Sequence, residues 1–451
     1  MRVAIVLFTR DLRVHDQPAL TEAVRSAEQV VPLFVFDDAV LERFAVPNRA
    51  AFLLDCLSDL DAALRDRGAE LVIRSGDVVA ETMRVAREVG AQCVFVSEDV
   101  SAYAQMRERR LRGACEAERL EFRALPGATV VPPGDLAPAG ADHYSVFTPY
   151  WNRWRAAARR KALEAPRRVA LPADVGSSGL PQLADLVQGS PSAELPRGGE
   201  AEARLRLDRW ARDELQHYGR MHDDLAADAT SRLSPFLHFG CLSPLEVVER
   251  ALAEDGGEPF VRQLAWRDFY AQLLSANPQT SHEDLRSRGG RWRRADEELA
   301  AWKEGRTGYP LVDAGMRQLQ REGWMHNRAR LVTASFLAKH LYLDWRLGAE
   351  HFFDLLVDGD LANNVGNWQW VAGTGADTRP NRVFNPILQA KRFDKAGDYV
   401  RRHVPELAEV EGACVHEPWK LGLLRPGGYP EPIVDHTEAV TRFRRASQRT
   451  S

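Results

Sequence analysis

Residues 1–130 predict a doubly wound parallel α/β domain, and residues 201–451 an all-helical domain, joined by a connector over 131–200. Three observations carry this. Apolar, β-branched runs recur through the first 130 residues with amphipathic stretches between them. A stretch rich in Pro, Gly and Ser follows. From about Glu200, apolar residues then fall at helical spacing almost to the end.

The apolar runs lie at Val3–Phe8, 30–36, 70–74 and 93–96, with a weaker one at 121–124. Strands that are apolar along their whole length are buried on both faces, as in a parallel sheet covered by helices. Amphipathic stretches at 48–67 and Val78–Val89 supply helices, and right-handed crossovers make the sheet doubly wound. The connector carries the Pro/Gly-rich 131–140 and 171–199, with a short helix near 149–160. Helices are expected beyond it at 201–216, 243–254, 258–275, 296–304, 310–322, 325–340 and 347–357. Ser243-Pro244-Leu245-Glu246 has the N-cap serine, N1 proline and N3 acid of a capping box.

The chain's 451 residues imply two or three domains. A hydrophobic share of 45% with 27% charged residues excludes wholesale disorder, collagen and coiled coil. No run of about 18 apolar residues occurs, so no membrane helix is expected. The N-terminus reads as a first strand, not a signal peptide. Cys56, Cys93, Cys115, Cys241 and Cys414 are scattered, with no C-x-x-C. That argues for a reducing cytosol, and against a disulfide framework or zinc site; no metal is expected. The first 130 residues hold 17 Lys/Arg and 21 Asp/Glu and so carry the whole net charge of −4. The remainder is balanced, and any basic patch is local. The α/β region lacks G-x-G-x-x-G and G-x-x-x-x-G-K-[ST], so a nucleotide is not held by those devices. All eleven tryptophans lie at or beyond Trp151, which suits core filling and also an aromatic-lined or base-stacking site.

Six stretches occur in order: Phe8-Thr9-Arg10-Asp11-Leu12-Arg13, Thr230-Ser231-Arg232-Leu233-Ser234, Trp266-Arg267-Asp268-Phe269-Tyr270, Trp324-Met325-His326-Asn327-Arg328-Ala329-Arg330, Asp358-Gly359-Asp360-Leu361-Ala362-Asn363-Asn364 and Trp368-Gln369-Trp370. In this order and spacing they resemble the photolyase/cryptochrome family, from Val3 to about His436. The resemblance is nearest to the bacterial class I cyclobutane pyrimidine dimer (CPD) photolyases with a deazaflavin antenna.

The resemblance implies FAD in the helical domain. It places Tyr218 and the stretch Thr230, Ser231, Arg232, Leu233 and Ser234 at the FAD phosphates, where hydroxyls and backbone N–H groups replace a Gly-rich loop. It places the ion pair of Arg330 and Asp358 beside the isoalloxazine, where a fixed cation stabilises the anionic reduced flavin. Asp360 falls at the N3/C2 edge, and Asn364 faces N5, where an amide both accepts and donates. Trp266 and Asn327 count among the FAD-binding positions too. Trp368, Trp345 and Trp292 match the family's electron-transfer chain from the surface to the flavin.

The implied activity is light-driven DNA repair: excited FADH⁻ donates an electron to a flipped-out CPD and the cyclobutane ring splits. Trp266 and Trp370 match the aromatic pair against which the dimer packs, and Asn327 the residue that hydrogen-bonds a flipped pyrimidine. Arg267, Arg328 and Arg382 are candidate phosphate contacts. The run Arg291-Trp292-Arg293-Arg294 reads mostly as solvated face.

Two positions depart from the photolyase pattern. Gln263 stands where the family has a glutamate that bonds the thymine carbonyls; its amide donates but supplies no proton. Reduced efficiency is expected, on the scale of one hydrogen bond, ~1–3 kcal/mol. Leu331 stands where many members have a methionine against the dimer, and it conserves volume. Gln also occurs at position 263 in the (6-4) photolyases, but the two histidines of that branch are replaced by Asn327 and Leu331.

Arg49 and Asp99 match positions that bind 8-hydroxydeazaflavin, with Phe36 in the apolar wall against its ring; methenyltetrahydrofolate is the alternative antenna. The rival to repair is a cryptochrome-type blue-light receptor. Gln263 favours it, whereas Asn364, Asn327 and the short stretch after His436 disfavour it. A third reading is a non-photochemical nucleotide-binding enzyme. A cytoplasmic monomer acting on CPD-containing DNA, away from membranes, is expected.

Overall fold

The computed structural model describes residues 1–287 and 291–448. Five parallel strands, β1 (Val3–Phe8), β2 (Gln29–Asp37), β3 (Val72–Gly76), β4 (Cys93–Ser97) and β5 (Glu121–Leu125), form one sheet in the order β3-β2-β1-β4-β5. Residues 4–7 of β1 are wholly buried, as a central strand covered on both faces must be. Strand order reverses between β1 and β4. A doubly wound sheet binds ligands at that point, beyond the carboxyl ends of its strands. The Val78–Val89 and Ala102–Ala117 helices cover one face through Val78, Val79, Met83 and Leu111.

Packing divides the chain into two units. The first comprises Met1–Pro191, Pro196–Gln216 and Ser231–Pro278. The second comprises Ser192–Leu195, His217–Thr230 and the described part of 279–451. The early helices beyond residue 200 thus pack with the α/β sheet, for a physical reason. Glu200 is buried at the start of the Glu200–Asp213 helix, and its carboxylate accepts from the backbone N–H of Val14 at 2.7 Å and His15 at 3.1 Å. Arg13, 1% exposed, donates to the carbonyls of Asp16, Gly127 and Gly240. The first motif is therefore a clasp. Gly240 is required in it, because a Cβ there would lie 2.0 Å from the Arg10 carbonyl oxygen.

In the first unit, Ser243 caps the Pro244–Leu252 helix by accepting from Leu245 and Glu246 N–H, while the Glu246 carboxylate pairs with Arg204 at 3.0 Å. In the second unit, the stretch expected as one helix over 325–340 is an α-helix at Asn327–Ser335 that continues as a π-helical turn over Phe336–Leu341. Tyr342 ends it in the left-handed region at φ 55°. The Leu361–Ala372 helix was not expected: three asparagines, a glycine and two tryptophans give it weak intrinsic propensity. Its N-cap Asp360 accepts from Asn363 N–H at 2.9 Å. Among the described residues no helix is long and apolar enough to cross a membrane, and no group of three or more His, Cys, Asp or Glu is placed to hold a metal.

Candidate functional site

The second unit carries many of the motif residues, polar and aromatic. Arg330, on the Asn327–Ser335 helix, donates through Nε to the Met325 carbonyl and through Nη2 to Asp358 Oδ2, both at 2.8 Å. The Asp358 side chain is 3% exposed, and its second oxygen, Oδ1, is buried with no hydrogen-bond partner among the described residues. Thr230 Oγ1 is a second orphan of this kind. Both atoms keep unused hydrogen-bonding capacity that a bound group could take up. Tyr218 is buried and stacked with His222 at 5.1 Å; burial pushes its phenol far above the usual range, so it is a neutral O–H. Asn364 Nδ2 donates to the Ala349 carbonyl at 2.9 Å, which fixes its amide plane. Asp360 accepts from Asn363 Nδ2 as well as capping its helix.

Trp368 is buried against Phe352 (5.0 Å between ring centroids) and Trp302 (6.1 Å). A Cβ at Gly348 would fall 2.2 Å from Trp368 Cη2, so the missing side chain makes room for the indole. Gly348 shares the Trp345–Leu355 helix with Trp345, which is buried and donates through Nε1 to Asp284 at 2.9 Å. Trp292 is half-buried on Tyr342 at 5.2 Å. The three indoles thus run from buried to part-exposed. Trp370 is half-buried, with the Arg382 guanidinium 4.6 Å from its ring. Asn327 is exposed as the first residue of its helix, and Leu331 packs partly against the core of this unit.

The first unit carries the remaining residues on or near the Glu258–Ala276 helix. Trp266 stacks face to face on Phe147, 3.6 Å apart and 8° from parallel. Gln263 is exposed one turn earlier. Ser231 is buried, its carbonyl accepting from Arg206 Nε at 2.9 Å. Arg232 sits at φ 52°, and the buried Leu233 leads into Ser234 at the start of the Ser234–Phe239 helix.

Sequence reasoning missed Asp268. Its Oδ2 accepts from Val130 N, Val131 N and Trp154 Nε1 at 2.9–3.0 Å, tying the end of the α/β region to this helix. Burial pushes its carboxyl up to about 6, against the pull of Arg267 and the three N–H donors. A raised carboxyl favours the protonated folded state. Stability from this group is therefore complete below about pH 4 and is lost as pH rises to about 6, on the order of 3 kcal/mol in all. Asp268→Asn is expected to flatten that stretch of the stability–pH profile, measured by denaturant unfolding. The Trp266–Tyr270 motif includes this residue, but an Asp beside an Arg reads as surface, so its burial shows only in the fold.

Two models of protein families match: "DNA photolyase" over residues 4–169, and "FAD binding domain of DNA photolyase" over residues 260–449. A deoxyribodipyrimidine photo-lyase of Streptomyces griseus is 56% identical over 453 residues, covering 99% of each chain. The chain belongs to the photolyase/cryptochrome family. Its fold agrees with a class III photolyase structure from Agrobacterium tumefaciens (TM-score 0.92, 33% identity, 100% of this chain and 98% of that one). It agrees equally with a cryptochrome from Synechocystis (TM-score 0.92, 29% identity, 99% of each).

The photolyase-family site suits FAD. Thr230 Oγ1 and Asp358 Oδ1 are acceptors or donors left over after the protein's own bonds, and Arg330 is a held cation. The three candidate phosphate-contact arginines are less uniform. Arg267 gives its guanidinium to the carbonyls of Ala128 (2.5 Å) and Leu237 (3.2 Å). Arg328 makes a two-pronged pair with Asp223, 2.7 Å at its shortest, over the Phe393 ring. Arg382, 39% exposed, is the one of the three that is most open to solvent. In the α/β sheet, Phe36 is buried edge-on to Phe34 (5.1 Å), and Arg49 is buried on the Pro47–Arg65 helix. Asp99, just beyond β4, accepts from Val100 N at 2.6 Å and pairs with Arg10 at 3.4 Å.

Proposed function

We propose that this chain is a CPD photolyase: a lyase that uses light to split cyclobutane pyrimidine dimers in DNA. The observation that carries the reading is 56% identity, end to end, with a deoxyribodipyrimidine photo-lyase. The chemistry that bound reduced FAD supplies is light-driven donation of one electron to the dimer. The protein's part is binding, orientation and electrostatics. Arg330, fixed by Asp358 and Met325, would hold positive charge beside a bound flavin, and Asn364, its amide oriented by the Ala349 carbonyl, would serve the flavin's N5. Tyr218, Thr230, Ser231 and Ser234 are the residues that would hold its phosphates. Trp368, Trp345 and Trp292 pass electrons inward from the surface. Trp266 and Trp370 stack the extruded dimer, returning about 1–3 kcal/mol per base against the few kcal/mol of flipping. Gln263 and Asn327, both exposed, hydrogen-bond its bases. Arg382 contacts backbone phosphate, and binding weakens with salt as counterions are released.

The antenna belongs to the α/β region. Phe36 and Asp99 lie at the carboxyl ends of β2 and β4, where doubly wound sheets bind ligands. With Arg49 they suit 8-hydroxydeazaflavin, with methenyltetrahydrofolate as the alternative; mass analysis of the pigment released from purified protein decides. A reducing, cytoplasmic setting fits the five free thiols. The function is tested by expressing the chain in bacteria that lack photoreactivation. Blue light after ultraviolet irradiation is expected to raise survival over a dark control. Equal survival would favour the receptor reading that Gln263 invites.

A further inference from the structure

We infer that Lys339 is a positioning residue for the DNA-facing aromatic wall, stapling both ends of the loop 373–379 so that Trp370 and Arg382 are held side by side. This rests on the repair reading for what the wall binds, but not for the staple itself. Lys339 lies on the π-helical turn Phe336–Leu341, a geometry rare in proteins and frequent at functional sites. It is fully buried. Its Nζ donates to the carbonyl oxygens of Ala372 and Pro380, each at 2.8 Å, and lies 4.4 Å from the Phe443 ring centroid. A buried ammonium is costly unless its donors are used. Here two of the three are used on the carbonyls that bracket the loop.

The consequence is local geometry. Trp370 lies two residues before one anchor and Arg382 two residues after the other. Clamping the anchors together puts the guanidinium 4.6 Å from the indole. The loop backbone is built for the closure: Gly373 sits at φ +83°, and a Cβ there would meet the Pro380 carbonyl oxygen at 2.5 Å. Arg286 N–H bonds the Thr374 carbonyl at 2.8 Å, and Gln369 is tied to Thr280 and Leu285, so the start of the loop is fixed and Lys339 brings the far end to it.

The test uses the FAD-loaded full chain as Lys339→Met and Lys339→Ala. Three quantities are measured: affinity for a CPD-containing and an undamaged duplex, repair yield at saturating DNA, and hydrogen exchange of the 373–379 amides. We expect CPD affinity to fall about tenfold or more and undamaged-DNA affinity to fall clearly less, with repair yield at saturation and flavin content held. Loop exchange should quicken. Propylammonium, which replaces the three carbons and the ammonium missing from Lys339→Ala, should restore both affinity and protection in that variant and do nothing for Lys339→Met. Unchanged loop exchange, or equal loss of both DNA affinities with no rescue, would overturn the proposal. Should the unmutated protein not prefer CPD DNA, the repair reading fails, and loop exchange with its rescue still decides whether Lys339 staples the loop.

Discussion

Asp358→Ala is expected to purify without FAD and to lose about 3 kcal/mol of stability. Breaking a largely buried ion pair by removing one partner costs about 3–5 kcal/mol, because the remaining charge is left uncompensated. The lower end applies because the Arg330 side chain keeps 23% of its exposure. The loss reaches further than the pair. Arg330 is aimed by two bonds, to Asp358 and to the Met325 carbonyl, and with one bond gone the guanidinium can turn to solvent. The flavin site then loses its cation and the orphaned Oδ1 together. Asp358→Asn keeps the shape and an acceptor, so a smaller stability loss with weakened FAD retention is expected. Denaturant unfolding and flavin absorbance per protein check both. FAD retained at full occupancy by Asp358→Ala would remove the pair from the site.

Trp370→Ala is expected to weaken binding of CPD-containing DNA about 5- to 150-fold, the equivalent of about 1–3 kcal/mol of stacking, while FAD content stays unchanged. Trp370 is half-buried, backed by Arg382, and Arg382 also lies 5.2 Å from the Phe384 ring. Its truncation removes the platform and frees the arginine. Trp370→Phe keeps a smaller π-face and is expected to fall between. Competition binding against an undamaged duplex separates lesion stacking from phosphate attraction: the specific component falls further than the non-specific one.

Much of the fold was legible because it rests on periodicity. Continuous apolar runs marked the strands, and Val78–Val89 was read to its end residues because Asp77 caps it and Gly90 ends it. The site was legible through spaced motifs, but not the work each residue does. Arg267 and Arg328 look alike as motif arginines, yet one holds two backbone carbonyls and the other is neutralised by Asp223, a partner distant in sequence. The Leu361–Ala372 helix, which carries Asn364, Trp368 and Trp370, escaped because tertiary packing overrides its poor propensity. Asp268 and Lys339 escaped for a shared reason: a charged residue that is buried by its partners carries no mark of burial in its own sequence neighbourhood. The break at residue 200 followed composition, whereas packing follows Glu200 and Arg13 across it.

The most direct measurement illuminates the photoreduced protein with an oligonucleotide carrying a single CPD and follows the return of thymine absorbance, beside a dark control. Recovery in the light alone is the predicted result, and it would show that Gln263 suffices where the family uses glutamate. No recovery from protein with bound, fully reduced FAD would contradict the account.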